Sequence, residues 1–385
     1  RTPVSVTVVV CVLGWIAGWL LLGRARRVTE LATGAHGGRR GLGGVAVVIP
    51  ARDEESSIGG VLAGLCDPLD PTTPPDRIIV VDDDSIDRTA ALAAAHDGVE
   101  VVPAPPLPES WTGKSWACHS GLQQVPQRSA EHGGPDDVVV FLDADVRLTR
   151  AALARVVAER DEHGGLVSVQ PWHETERPYE QLSCLFNVLA VMGTAMGSRG
   201  GATGAFGPVL VTSRADYEAV GGHGSVRSEV VEDLALAQRY RDAGLPVEVV
   251  EGRRDIRFRM YPGGLRQLTE GWTKNFAVGA GSTRLPRLAA IVWWITCLGS
   301  AAFALDDSLR GDLPLVTGVA LYLAFATQLW VMFRQVGRFG PVTALLFPVP
   351  LVFFIAVFVR SLWRTHVRHS VTWRGRAVST LVDRR

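Results

Sequence analysis

Carboxylates arrive in this sequence in blocks: Asp53-Glu54-Glu55, then Asp82-Asp83-Asp84 with Asp87 close behind, Asp143-Ala144-Asp145, and Glu232-Asp233. Each of the first three blocks ends a short β-branched run: VAVVIP at 45–50, RIIVVD at 77–82 and VVVFLD at 138–143. Taken singly, each has an ordinary structural reading. Asp or Ser after a strand often caps the next helix, as Ser85 and Asp87 are placed to do, and an isolated DxD is common by chance. Together they say more, because many carboxylates at one edge repel one another unless a cation or a hydrogen-bonding ligand sits among them. Oxygen ligands without clustered His or Cys suit Mg²⁺ or Mn²⁺, which hold substrate phosphates through one or two carboxylates. The chemistry implied is a divalent cation with a diphosphate. GxGxxG after a strand and GxxxxGK[ST] are both absent, which counts against dinucleotide redox and P-loop chemistry.

The elements that must position these acids follow from the same runs. None of the three alternates, as expected for strands buried on both faces. Helical stretches at 56–65, 87–96 and 115–124 intervene, so the pattern predicts an α/β domain with a mostly parallel sheet. In such sheets ligands bind beyond the carboxyl ends of the strands, where these acids lie.

Composition sets the surroundings. The 385 residues carry 39 basic and 39 acidic side chains, for zero net charge, which excludes a whole-chain electrostatic grip on nucleic acid. Hydrophobic residues make up 47% and charged ones 20%. That excludes a disordered chain and, because the apolar excess is concentrated, points to a membrane protein. Residues 4–22 form a charge-free apolar run followed by Arg24, Arg26 and Arg27, the order of an uncleaved anchor with its C-terminal end in the cytoplasm. Further apolar segments lie at 288–305, 313–333 and 342–363. The first two read as a helical hairpin with an acidic outer loop and both ends inside. If 342–363 spans, the tail bearing Arg364, Arg368, Arg374 and Arg376 lies outside, against the positive-inside tendency. Pro348 and Pro350 allow a re-entrant or broken segment that returns the tail to the cytoplasm, which is the reading taken. The five cysteines, at 11, 66, 118, 184 and 297, form no CxxC pair, and a reducing compartment is the simpler reading.

These blocks resemble the inverting GT-A glycosyltransferases of family 2, which carry PxYNE, VVDDGSxDxT and a DxD strand end in this order. Val230-Val231-Glu232-Asp233-Leu234 matches the family's later acidic element. Trp111-Thr112-Gly113-Lys114-Ser115-Trp116-Ala117, the block GAFGPVLVTSRADYEAVGG at 204–222 and Trp373-Arg374-Gly375-Arg376 are similar to those of membrane-bound carotenoid-acid or hopanoid-associated glycosyltransferases. The resemblance covers nearly the whole chain. It implies a GT-A, Rossmann-like catalytic domain at 45–261, after an anchor at 1–23 and a linker at 24–44. An interfacial helix at 262–286, transmembrane or re-entrant helices at 287–363 and a basic cytoplasmic tail at 364–385 follow. The protein would sit as a multi-pass enzyme in the plasma membrane with its catalytic domain in the cytoplasm.

The resemblance also implies roles. Pro50, Asp53, Glu54, Asp82 and Asp83 would line the nucleotide of a sugar donor, uracil being the usual base, with Lys114 and Asp143 on the same side. Asp145 would bind the Mg²⁺ or Mn²⁺ on the donor diphosphate, and Asp233 would be the general base that takes the acceptor proton during in-line attack. Glu232, Trp272 and Lys274 would face the acceptor or the diphosphate. Three positions depart from the family pattern: its Tyr-Asn is Arg52-Asp53 here, and its Gly after the paired Asp is Asp84. The processive QxxRW signature is missing, which favours a single transfer over polymerisation.

Lysine usage is an independent sign. The chain has two lysines, Lys114 and Lys274, against 37 arginines. Both sit in motif-like blocks, where a compact ammonium suits phosphate or acceptor contact; chance retention is the alternative. Residues 262–284 read as an amphipathic helix along the bilayer surface, with core packing a comparable alternative. His223 reads as a loop residue, and Trp111 and Trp116 as packing or interface residues. The leading expectation is transfer of a sugar from a nucleotide-diphosphate donor to a lipid-soluble acceptor such as a carotenoid or terpenoid. A polyprenyl phosphate acceptor and a non-catalytic nucleotide-sugar-binding membrane protein are the alternatives.

Overall fold

The computed structural model describes residues 4–23, 26–31, 41–126, 137–196, 201–229, 231–364, 370–373 and 376–379. It divides into two compact units: Ala25–Trp172 with Gly200–Met260, and Arg1–Arg24 with His173–Arg199 and Tyr261–Arg385. The expected catalytic span 45–261 is therefore interrupted, because 173–199 packs with the helices of the other unit.

The first unit is built on one sheet. Its strands are β1 (Val45–Ala51), β2 (Arg77–Asp82), β3 (Val99–Pro103), β4 (Val138–Leu142), β5 (Val146–Leu148), β6 (Leu166–His173), β7 (Val209–Ser213) and β8 (Val247–Phe258). They run in the order β3-β2-β1-β4-β7-β6-β8-β5. The four strands β3, β2, β1 and β4 are mutually parallel, while β7 is antiparallel to both β4 and β6. The expected mostly parallel α/β sheet is present, extended by an antiparallel portion, and β3 is a strand the sequence reading passed over.

Both faces of the central strands are covered, which accounts for their unbroken apolar runs. Val45, Val47 and Ile49 of β1 pack with Ile58, Val61 and Leu62 of α2 (Ile58–Leu65) and with Leu153 and Val156 of α5 (Arg150–His163). Ala46 and Val48 turn to the other face, against Ala117, Cys118 and Leu122 of α4 (Gly113–Gln123). Side-chain caps start the helices where the sequence supplies them: Thr112 Oγ1 accepts from Ser115 N, and Thr149 Oγ1 from Ala152 N.

The second unit is helical. It contains α1 (Val4–Leu22), α6 (Cys184–Gly193), α9 (Leu265–Ser282), α10 (Leu285–Arg310), α11 (Leu315–Val336), α12 (Pro341–Leu345) and α13 (Pro348–Trp363). By length and composition α10 and α11 can each cross a membrane, and α1 and α13 are shorter apolar helices. In α1, Gly14 and Gly18 form a small-xxx-small pair: a Cβ at either would run into Cys297 or Trp294 of α10. Buried Gln328 of α11 donates to Trp15 O at 2.6 Å and accepts from Trp294 Nε1 at 3.0 Å, tying the same three helices together.

The segment expected at 342–363 is indeed broken, but at Leu346–Phe347 rather than at its prolines. Pro348 opens α13, where its missing N–H costs no hydrogen bond. Helix α9 buries Leu268, Trp272 and Thr273 and packs against α13 and α6, so its inner face is core. The tail, expected only as a basic extension, forms an antiparallel hairpin of β9 (Ser370–Trp373) and β10 (Arg376–Ser379). Arg374 and Gly375 of the WRGR motif, Arg368 of the tail, Val230 and most of the 24–44 linker lie outside the described residues.

Candidate active site

Register brings the acidic blocks to one rim. Ala51 at the end of β1 pairs with Asp82 at the end of β2, and Asp82 with Pro103 at the end of β3. On the other side of β1, Val48 pairs with Phe141, two residues before Asp143. Pro50, Asp82, Asp83 and Asp143 therefore leave the sheet at the same carboxyl edge.

Beyond the edge, the β1 and β2 loops are laced to each other. Asp53 N donates to Ser85 Oγ at 3.0 Å, and Asp53 Oδ1 accepts from Ile86 N at 2.9 Å. Glu54 N donates to Thr89 Oγ1 at 2.7 Å, and Glu55 N to Asp87 Oδ2 at 3.1 Å. Asp87 Oδ1 accepts from Thr89 N at 2.9 Å at the start of α3 (Thr89–Ala94), one residue ahead of the N-cap Arg88, whereas Ser85 does not cap the helix as expected but holds the β1 loop through Asp53 N. Asp53 and Asp84 have φ of 50° and 59°. These are the two places where the family pattern has Asn and Gly, residues that enter the left-handed region readily, and Asp tolerates it through its short polar side chain.

Asp83 is buried, and Arg52 reaches over it. Arg52 Nη1 donates to Asp83 O at 2.5 Å and lies 3.7 Å from Asp83 Oδ2 and 3.8 Å from Asp84 Oδ2. Asp82 Oδ1 and Arg52 Nε are buried without a hydrogen-bond partner among the described residues. An orphaned anionic oxygen and an orphaned donor at one rim are what a polar ligand, or a cation with its ligands, would complete.

The second half of the rim centres on Lys114, in the first turn of α4. Its Nζ lies 2.8 Å from Asp143 Oδ1 and 3.0 Å from Glu232 Oε1. Glu232 and Asp233 open α8 (Glu232–Asp242), where the positive end of the helix dipole favours carboxylates. Asp143 N donates to Pro208 O at 2.9 Å, and the neighbouring Gly207 N donates to Asp233 Oδ2 at 2.7 Å; Leu234 N holds Asp233 Oδ1 at 2.9 Å. The end of β4, the lead into β7, α4 and α8 thus meet around one ammonium and three carboxylates.

Electrostatics here are uneven. Desolvation pushes the Asp233 carboxyl up to about 7; Glu232 adds to the rise, while Lys114 and the two amides oppose it. Burial works to strip the proton from Lys114, but Asp143 and Glu232 override it and hold the ammonium well above the ordinary lysine range. Burial lowers His223 to about 4, and its Nδ1 lies 2.7 Å from Tyr217 OH inside the core, the placement of a structural residue.

The expected site residues separate into three groups. Lys114, Asp143, Glu232 and Asp233 form one contact network. Pro50, Asp53, Glu54, Asp82 and Asp83 occupy the adjoining strand ends and loop, and Asp145 is half-buried in the turn between β4 and β5. Trp272 and Lys274 lie on α9 of the helical unit, where Trp272 stacks on Phe186 at 4.8 Å and donates to Ser183 Oγ at 3.0 Å. Sequence reasoning missed Gly207, whose contribution is a backbone N–H that no residue type advertises, and the ion pair of Glu232 with Lys114.

The residues present fit a divalent cation. The donor set at this rim is oxygen only, with Asp143 and Asp145 close together at the end of β4 and Asp82 Oδ1 buried without a hydrogen-bond partner among the described residues. The trio Glu159, Glu162 and His163 on α5 has metal-like spacing, but Glu159 is ion-paired to Arg26.

Comparison with known proteins places the fold in a family. The family model for glycosyl transferase family 2 matches residues 46–183, and that for glycosyl transferase family 21 matches 129–384. The 4,4'-diaponeurosporenoate glycosyltransferase of Staphylococcus aureus (strain USA300) is 36% identical over 343 residues, covering 87% of this chain and 88% of that one. Its counterpart in strain MRSA252 is 35% identical over the same extent. A mannosyltransferase from Pyrobaculum calidifontis, solved with GDP-Man and Mn²⁺, shares the fold with a TM-score of 0.53. It is 19% identical, and the match covers 94% of this chain and 97% of that one. With its sheet, its acidic rim and a relative of this similarity, the chain belongs to the family 2 glycosyltransferases and has a GT-A catalytic fold.

Proposed function

We propose that this glycosyltransferase is membrane-embedded and inverting, and moves a sugar from a nucleotide-diphosphate donor, with a UDP-sugar favoured, to the carboxyl group of a carotenoid-type lipid acid. The observation that carries the reading is the Lys114–Asp143–Glu232 network beside Asp233 at the sheet's carboxyl edge, together with the relative's printed activity on a carotenoid acid. Pro50, Asp53, Glu54, Asp82 and Asp83 line the nucleoside side, and Asp143 with Lys114 the diphosphate side. Asp145 holds the Mg²⁺ or Mn²⁺, which when bound neutralises charge on the nucleotide leaving group.

An acceptor oxygen attacks the anomeric carbon from the face opposite the diphosphate. The C–O bond to the diphosphate breaks, and its electron pair leaves with the nucleotide. Asp233, poised near 7 by its surroundings, takes the proton of an acceptor that arrives as a neutral acid or hydroxyl. Lys114 keeps Asp143 and Glu232 from repelling the incoming donor. Glu232 faces the diphosphate side through the same ammonium.

Membrane residence is supported by α10 and α11 and by the apolar side chains left exposed on the helical unit, among them Leu20, Phe303, Val316 and Val352. Arginines at 24, 26, 27, 284, 287, 334 and 338 flank the helices on one side, favouring a multi-pass protein with its sheet unit in the cytoplasm. The test is incubation of the purified protein with a panel of labelled nucleotide sugars, Mn²⁺ or Mg²⁺, and total lipid extract supplemented with a carotenoid acid. A metal-dependent glycosyl ester identified by mass is expected. A labelled polyprenyl phosphate sugar instead, or no transfer and no hydrolysis of any donor, would overturn the reading.

A further inference from the structure

Trp111, Trp116 and His119 form an aromatic cluster that the donor chemistry leaves unused. The ring centroids of Trp111 and Trp116 are 5.0 Å apart, those of Trp111 and His119 5.0 Å, and Trp116 and His119 stack at 5.7 Å with planes 23° apart. All three rings are half-buried, and desolvation lowers the pKa of His119, so its imidazole joins the indoles as a neutral ring. Trp116 Nε1 is satisfied by Pro105 O at 2.8 Å, which fixes the ring without using its faces.

The surroundings place this cluster at the catalytic rim. The segment that carries it leaves the end of β3, where Ala104 N donates to Asp82 O at 2.8 Å. It runs through Pro105, Pro106, part-exposed Leu107 and Pro108, a rigid apolar stretch, into the start of α4. Thr112 N donates to Arg227 O at 2.7 Å, and the rim of Trp111 faces Gly224 of the 3-10 turn Gly222–Val226 that packs on α8. The same helix delivers Lys114 to Asp143 and Glu232. The aromatic cluster thus lies between the end of β2 and the turn that packs on α8, on the helix whose first turn carries Lys114.

We infer that Trp111, Trp116 and His119, with Leu107, are the platform on which the apolar chain of the acceptor lies while its polar end reaches Asp233. This rests on the acceptor class proposed above. A flat conjugated chain matches ring faces at low conformational cost, and the rigid proline-rich approach keeps the rings preset rather than ordered on binding. The platform selects acceptors by length and apolarity, whereas the carboxylate rim reads the donor.

Two measurements on the full chain in detergent test it: equilibrium binding of 4,4'-diaponeurosporenoate, and steady-state kinetics with that acid and with retinoic acid as a shorter polyene. Trp111→Ala and Trp116→Ala should weaken binding of the long acid and raise its KM by about tenfold or more. The KM for the nucleotide sugar and slow hydrolysis of the donor by water should stay unchanged, the penalty should shrink for the shorter acid, and Trp116→Phe should restore most of the loss. Thermal melts identify any variant that fails to fold, and Trp111→Leu then replaces it. Unchanged acceptor KM, or a rise in donor KM instead, would each overturn the platform. Wild-type protein that binds no polyene acid yet hydrolyses the donor would overturn the acceptor class itself, a result distinct from those.

Discussion

Lys114 Nζ stands 2.8 Å from Asp143 Oδ1, an ion pair that ties the first turn of α4 to the end of β4, with Glu232 3.0 Å away on the other side of the same ammonium. In a chain that uses arginine almost everywhere else, a compact ammonium stands here between two carboxylates, where a planar fork would meet them with a different geometry. Lys114→Arg is expected to lower kcat/KM for the donor about tenfold, and Lys114→Ala, which leaves two carboxylates uncompensated, by a hundredfold or more. Wild-type kinetics in Lys114→Arg would remove the lysine from the mechanism.

Gly207 offers a sharper probe of Asp233. Its N–H holds Asp233 Oδ2 at 2.7 Å, and an added Cβ would sit 3.1 Å from the same oxygen. Gly207→Ala should displace the carboxylate by a few tenths of an ångström, lowering kcat about tenfold with little change in melting temperature. Equal kcat in the two proteins would show that Asp233 need not be held there.

Asp233 also predicts a pH profile. With its carboxyl raised to about 7, the base is protonated and idle below that pH, so kcat/KM should fall about tenfold per pH unit on the acid side of 7. Stability runs the other way. Between the ordinary carboxylate value and about 7 the folded protein binds a proton the unfolded chain has released, so stability declines as pH rises through that window. Asp233→Asn should therefore melt higher than wild type above pH 7, and it should lose about two to four orders of magnitude in kcat where the acceptor arrives protonated. Retained turnover in the variant would mean that the acceptor arrives already ionised.

In the helical unit, Gln328 bridges Trp15 O and Trp294 Nε1. Gln328→Leu should cost about 1–2 kcal/mol in a detergent melt, because it strands the indole N–H between helices. Donor hydrolysis at low temperature should be unaffected. An unchanged melt would show that the Gly14 and Gly18 packing suffices.

What the sequence disclosed follows from what it encodes directly. Unalternating runs such as Val45–Ala51 announce strands buried on both sides, and acids at their ends announce the rim, so the core of the fold and the gathering of acids at one sheet edge were legible. Apolar length disclosed α10 and α11 but not the break at Leu346–Phe347, which depends on how the chain turns between two short helices. Gly207 and the reach of Arg52 over Asp83 escaped because a backbone N–H and a long flexible side chain acquire partners only through tertiary packing. The departures at Asp53 and Asp84 were visible as substitutions; that both are left-handed positions emerged only with the backbone.

The central claim is that acids from separate stretches of the chain form one donor site at the sheet edge. Calorimetric titration of UDP into the protein, with and without Mn²⁺, tests it most directly when wild type is compared with Asp145→Asn. Metal-dependent binding that weakens at least tenfold in the variant, with an unchanged melting curve, is the predicted result. UDP binding that is indifferent to Mn²⁺ and to Asp145 would contradict it.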